Sequence, residues 1–325
     1  MQNLVTVFGG SGFIGAQVVR RLAKAGSRIR VAVRNPGLAY GMRLHGDVGQ
    51  IDVVQANIRD IDSCRRALEG ASAAVNLVGV LFERGRQSFQ QVHVDGARNV
   101  AEAARAEGVT RFVQISALGA DLNSPSDYAR SKAEGEQAVR AVYPEAVVVR
   151  PSIVFGQGDG FFNRFASMAV ISPVLPLFGG GETRFQPVFV GDVAQALATT
   201  VTAPECAGRT FELGGPATHS FRELMGLILA ETDRRRLLLP LPHAVGAALG
   251  SAFDLVKSLI APPITSDQAK LLKSDNVCSG TCPGLAELGV TPTALEAVLP
   301  TYLYRFRKGG QYADQDAREL ASGRA

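Results

Sequence analysis

The chain of 325 residues has no uninterrupted apolar run of the roughly 18 residues that a membrane-crossing helix needs. It opens Met1-Gln2-Asn3 and passes directly into apolar residues, so the basic stretch and long apolar core of a cleavable leader are not seen. Cysteine is scarce, at four residues. Cys64 and Cys206 stand alone, and Cys278-x-x-x-Cys282 has no histidine beside it, so the pair does not read as a zinc site and no metal centre is expected. Reduced thiols in a cytoplasmic protein are the expectation. Charge of one sign is also lacking: 34 Lys and Arg face 30 Asp and Glu, a net +4. The cations are scattered, which excludes the stripe of a nucleic-acid binder, although a pI near 9.0 favours anionic ligands or lipid headgroups. No internal repeat or low-complexity segment stands out.

What the chain does have is the 46% apolar and 20% charged composition of a globular protein. Its first half alternates apolar runs with segments of helical spacing. Strands are expected over 4–8, 29–33, 51–55, 73–77, 111–115 and 146–150, and helices over 13–25, 92–106 and 128–142, among others. Six strands joined by right-handed crossovers give an α/β fold with a doubly wound parallel Rossmann sheet. Beyond Pro151 the pattern becomes irregular, punctuated by Pro173, Pro176 and Gly179-Gly180-Gly181, with helices expected over 190–201 and 221–232. This reads as a smaller, loop- and helix-rich C-terminal lobe closing over the sheet's carboxyl edge.

Between the first strand and first helix lies Gly9-Gly10-Ser11-Gly12-Phe13-Ile14-Gly15, with glycines three apart at Gly9, Gly12 and Gly15. They permit a tight turn and close approach of a pyrophosphate to the N–H groups opening the helix. The second strand ends Arg30-Val-Ala-Val-Arg34-Asn-Pro without the acid that takes the ribose hydroxyls of NAD(H). Arg34 supplies a guanidinium suited to a 2′-phosphate, so NADP(H) is favoured over NAD(H). The expected organisation is an NADP(H)-binding Rossmann domain over 1–150, a C-terminal lobe interleaved with it over 151–308, and a flexible tail over 309–325.

Tyr128-Ala-Arg-Ser-Lys132 places a phenol and an ammonium four residues apart, on one face of the expected helix. The ammonium is expected to lower the phenol's pKa and fit it for acid–base work.

These segments resemble the extended or atypical short-chain dehydrogenases/reductases of the NAD-dependent epimerase/dehydratase superfamily over about residues 3–235. The likeness rests on GGSGFIG at 9–15, VDGARNVAEAA at 94–104, ISALGAD at 115–121, YARSK at 128–132, RPSIVFGQGD at 150–159, PVFVGDVAQAL at 187–197 and FELGGP at 211–216. With ITSDQAKLLKSDNV at 264–277 added, the chain is most similar to the nucleotide-binding accessory subunit family of respiratory complex I (NADH:ubiquinone oxidoreductase). That resemblance implies tightly held NADPH, complex I subunits as partners, and a peripheral position on the cytoplasmic face of the inner membrane. It also implies cofactor contacts at Gly9, Gly12, Phe13, Ile14, Gly15 and Arg34, an adenine-side loop at Asn57-Ile58, and Tyr128 and Lys132 toward the nicotinamide.

Departures from the working enzymes are equally specific. Ser116 offers a hydroxyl at the end of the fifth strand, as a third catalytic candidate beside Tyr128 and Lys132. The next positions, where relatives carry the catalytic hydroxyl, are Ala117 and Leu118. Ile153 and His93 stand where sugar-nucleotide enzymes have Asn, and Phe155 where Tyr is common, which argues against a sugar-nucleotide substrate. The chief expectation is therefore a structural, cofactor-holding subunit. One alternative is an active NADPH-dependent reductase or isomerase on an apolar, quinone- or isoprenoid-like substrate, with Phe161, Phe162 and Phe165 lining its pocket or forming core. Another is a sensor of the NADPH/NADP ratio. Val245, Leu249, Phe253, Val256 and Ile260 recur at helical spacing, and 302–308 interleaves aromatics with cations. Both stretches, 245–260 and 302–308, suit either packing on the lobe or docking on a membrane or partner surface.

Overall fold

Seven parallel strands form the central sheet of the computed structural model, which describes residues 3–242, 244–245 and 265–312. Six are β1 (Leu4–Phe8), β2 (Arg28–Val33), β3 (Ile51–Gln55), β4 (Ala73–Asn76), β5 (Arg111–Ile115) and β6 (Val147–Pro151). The seventh, Thr210–Leu213, lies parallel to β6 and pairs Thr210 with Val148. Across the sheet the order is Thr210–Leu213, β6, β5, β4, β1, β2, β3. Progress along the sheet reverses between β1 and β4, and the carboxyl ends of those two strands flank the crevice where such sheets bind ligands. The expected six strands are present; the seventh is an addition. It is four residues long, includes Glu212 and runs into Gly-Gly-Pro, so no periodicity announces it.

Alternation along β1 shows how the layers form. Val5 and Val7 share a core with Val18, Val19 and Leu22 of α1 (Phe13–Lys24) and Val193 and Leu197 of α6 (Val190–Thr202). Phe8 packs on the other face with Leu68 of α2 (Ile61–Leu68), Val100 of α3 (Gly96–Ala106) and Val139 of α4 (Asp127–Val142). Thr6 is fully buried, and its hydroxyl donates to the Ala67 carbonyl at 2.9 Å, which removes the cost of an unpaired polar group.

The smaller lobe packs α5 (Phe162–Ile171) and α7 (Phe221–Glu231) beside a parallel strand pair, Val174–Phe178 with Leu237–Leu241. Its core holds Phe155, Phe162, Phe185 and Phe221. Phe161 contacts the Phe162 and Phe165 rings at 5.1 Å each; Phe162 is fully buried, whereas Phe161 and Phe165 are half-buried against the same core. Part of the 302–308 stretch also faces inward. Tyr302 and Leu303 are buried, Phe306 packs against the same core, and the Tyr302 hydroxyl donates to Asp159 at 2.7 Å. Tyr304 is the aromatic of that stretch left exposed. The docking helix expected over 245–260 lies, past Val245, outside the described residues, as does the expected tail past Tyr312. No helix among the described residues is long and apolar enough to cross a membrane.

Candidate functional site

The turn after β1 is built by contact. The Gly9 N–H donates to the Ala32 carbonyl of β2 and the Gly12 N–H to the Gly9 carbonyl, each at 3.0 Å. A side chain at Gly15 would begin 2.3 Å from the Gly9 oxygen, so only glycine lets the first turn of α1 sit on the loop. Gly12 caps α1, no side chain caps it, and no acid lies in its first turn. Its leading N–H groups and the positive end of its dipole are thus suited to an anion. Phe13 and Ile14 open the helix half-buried, Ile14 against the core.

Beside this turn is a cavity of about 370 Å³ whose lining includes Gly9, Ser11, Arg34, Leu38, Ile58 and Val78. Arg34 is exposed at the end of β2, and its guanidinium has no hydrogen-bond or ion-pair partner among the described residues. Asn57 stands apart from that lining. Its N–H donates to Ser63 Oγ at 3.0 Å and its Oδ1 accepts the Arg59 N–H at 3.2 Å, so it shapes the entry to α2.

Tyr128 and Lys132 occupy the second part of the site, with Lys132 Nζ over the Tyr128 ring at 5.9 Å from its centroid. The expectation of a lowered phenol pKa is corrected. Burial pushes Tyr128 up to about 12. It pushes Lys132 down to about 8, against the raising influence of Glu136. Loss of water around the phenolate outweighs an ammonium that sits over the ring.

The residues after β4 join the two parts. Val78 lines the cavity and lies against Gly9, while a side chain at Gly79 would begin 3.2 Å from Lys132 Nζ and 3.6 Å from His93 Nε2. His93 lies on a π-helical turn, Gln90–Asp95, that leads into α3. Its Nε2 accepts the Val80 N–H at 3.0 Å, so that nitrogen carries no proton. Its Nδ1 meets Ser131 Oγ at 2.9 Å, and the Ser131 hydroxyl donates to the Tyr128 carbonyl at 2.8 Å. The ring is therefore the neutral Nδ1–H form. Burial, then Lys132, depress its pKa to about 2. Phe89 stacks on the ring at 5.3 Å and Tyr128 meets it edge-on at 5.5 Å.

Ser116 directly follows β5 and is buried, and its Oγ lacks a hydrogen-bond partner among the described residues. An unpaired buried hydroxyl costs roughly 1–3 kcal/mol, so this one suits a polar group brought to the site. Together with the open start of α1 and the Gly15 contact, it shows that these residues fit a dinucleotide laid across the carboxyl edge.

Neighbouring contacts hold α4 in place. A side chain at Gly135 would begin 2.1 Å from the His93 carbonyl oxygen, so the helix and the π turn touch backbone to backbone. Glu136 takes the Arg150 guanidinium with both oxygens, at 2.9 and 2.6 Å, fastening α4 to β6. The sequence reading passed over Gly135, although a glycine inside a helix signals close approach. It also missed the His93–Ser131 connection, which depends on a fold-level meeting of two helices. Of the cysteine pair, burial pushes the Cys278 thiol up to about 11, away from reactivity.

A model of the NAD dependent epimerase/dehydratase family matches residues 5–214. Mitochondrial NADH dehydrogenase (ubiquinone) 1 alpha subcomplex subunit 9 of Mus musculus is 36% identical over 305 residues, covering 94% of this chain and 80% of that relative. Ceramide reductase of Caulobacter vibrioides is 36% identical over 203 residues, 62% of each chain. Among solved structures, an NADPH-dependent quinone oxidoreductase from Escherichia coli, complexed with NADPH, superposes with a TM-score of 0.71 at 23% identity, covering 90% of this chain and 97% of that one. That last likeness is one of fold.

Proposed function

The chain belongs to the NAD dependent epimerase/dehydratase family, and from that premise we propose that it is an NADP(H)-holding accessory or assembly subunit of respiratory complex I, its cofactor mainly structural. The observation that carries the reading is the 36% identity to a complex I subunit over 94% of the chain. In this reading the Rossmann unit of residues 1–150 holds the dinucleotide and the lobe of 151–308 meets the partner. The first-turn amides of α1, from Gly12 to Gly15, take the pyrophosphate, and Arg34 takes the 2′-phosphate by charge-assisted hydrogen bonds. Ile58, with Asn57 behind it, borders the adenine side, and Tyr128 and Lys132 hold the nicotinamide ribose. When bound, NADPH supplies a hydride; Ala117 and Leu118, where a catalytic hydroxyl would stand, weaken any use of it. The same reading puts the protein peripherally on the cytoplasmic face of the inner membrane, and exposed Ile171, Leu237 and Leu239 on the smaller lobe offer apolar surface for such a contact.

Purification from native membranes tests both halves. NADPH or NADP is expected in the purified protein, and co-migration with complex I on native gels. Arg34→Ala is expected to weaken NADPH binding by roughly 10-fold or more, with NADH little changed, by calorimetry. Protein that retains neither nucleotide, or that runs free of complex I, overturns the assignment.

A second reading, an NADPH-dependent reductase of an apolar substrate, is favoured by the unpaired Ser116 hydroxyl beside an intact Tyr128–Lys132 pair and by the ceramide reductase likeness. It requires NADPH oxidation that Tyr128→Phe abolishes while co-migration is unaffected.

A further inference from the structure

From Thr265 to Cys278 the chain runs as a strap that ties elements distant in sequence. Its short helix, Ser266–Leu271, starts with a reciprocal cap between Thr265 and Gln268. Asp267, on the first turn of that helix, is turned toward α4. Its Oδ1 accepts the Asp127 N–H at 2.7 Å, and its Oδ2 accepts the Tyr128 N–H at 3.0 Å and the Ser126 hydroxyl at 2.7 Å. Ser126 Oγ in turn accepts the Ala129 N–H at 3.3 Å. A helix leaves its leading amides without partners inside the helix, and here one carboxylate, 140 and 139 residues away, satisfies those of Asp127 and Tyr128. Farther along, Asn276 accepts the Ser152 hydroxyl at 2.7 Å after β6 and donates to the Leu118 carbonyl at 3.3 Å after β5. Asp275 accepts the Arg184 N–H at 2.8 Å, and the Asn276 carbonyl accepts the Gln186 N–H at 3.1 Å, both from the smaller lobe.

We propose that Asp267 is the positioning residue of the Tyr128–Lys132 pair, and that through this strap the smaller lobe sets the register of the nicotinamide end of the site. The proposal rests on the dinucleotide reading and adds to it a control at one end only. Among the described residues, the bonds of Asp267, Asp275 and Asn276 go to α4, to the residues after β5 and β6 and to the smaller lobe, not to the Arg34 cavity or the opening of α1, so the adenosine end is expected to be insensitive to them.

The full chain is titrated with NADPH and with adenosine 2′,5′-bisphosphate, which lacks the nicotinamide half. Asp267→Asn keeps the size of the side chain but turns an amino group toward amide donors. It is expected to weaken NADPH by about 10-fold and to leave the bisphosphate unchanged, with Asp267→Glu recovering part of the loss. Equal weakening of both ligands, or of neither, overturns the proposal. If Asp267→Asn does not fold, Ser126→Ala decides in the same way: a selective loss of NADPH affinity supports it, and an equal loss or none refutes it. Wild-type protein that binds neither ligand overturns the dinucleotide reading and this inference with it, whereas wild-type binding with an indifferent Asp267→Asn removes this inference alone.

Discussion

His93 illustrates how much a single buried ring can determine. Its unprotonated Nε2 is occupied by a backbone N–H, so it cannot shuttle protons, and its role is to lock the residues after β4 against α4. Its folded pKa of about 2 lies below the unfolded 6.5, so between those values the unfolded chain binds the extra proton. Stability from this residue is complete above pH 6.5 and is lost as the pH falls below it. Urea unfolding at pH 7 and pH 5 is expected to differ by about 2 kcal/mol from this group, a difference that His93→Asn removes. Lys132 works in the opposite range. Its pKa is lowered to about 8, so the buried ammonium destabilises the ligand-free protein below pH 8, and the penalty is relieved as the pH rises toward 10.5. Lys132→Met is therefore expected to raise the ligand-free Tm at pH 7 while weakening NADPH. Gly9, Gly15, Arg34, Tyr128 and Lys132 were legible as chemistry because each sits in a local spacing. The direction of the Tyr128 shift was not, since burial is a property of the fold and outweighs the adjacent charge.

Elements were more legible than residues. The glycine turn and the apolar runs place β1, β3 and β5 residue for residue, and α4 to within one residue. The short strand at Thr210–Leu213 escaped because its pairing is non-local and its length too small for periodicity. At this scale the packing of α4 gives two expectations. Gly135→Ala adds helix propensity of about 1 kcal/mol, yet the added carbon meets the His93 carbonyl, so a net loss in urea stability and weaker NADPH binding are expected. Glu136→Gln removes the two-point charged partner of Arg150, which keeps Glu212 at 3.8 Å, and a loss of about 2 kcal/mol is expected by the same measurement.

For the whole molecule the sequence conveyed fold class and family likeness together, since both depend on ordered motifs. What it could not convey was the strap, because the bonds of Asp267 and Asn276 become visible only when chain ends meet. A ligand spanning both parts of the site joins them further. NADPH at a hundredfold excess over its Kd is expected to stabilise the protein by about 2.7 kcal/mol, a rise of roughly 5 °C in Tm by calorimetry.

The late-joining seventh strand bears on how the protein is made. A nascent chain that has not yet emerged past Leu213 presents β6 as a bare edge, open to pairing with a neighbouring polypeptide. Ribosome-held chains halted before Thr210 should then be readily cleaved by protease or captured by chaperones, and chains halted well past that strand should resist, so protection during translation arrives late and in one step.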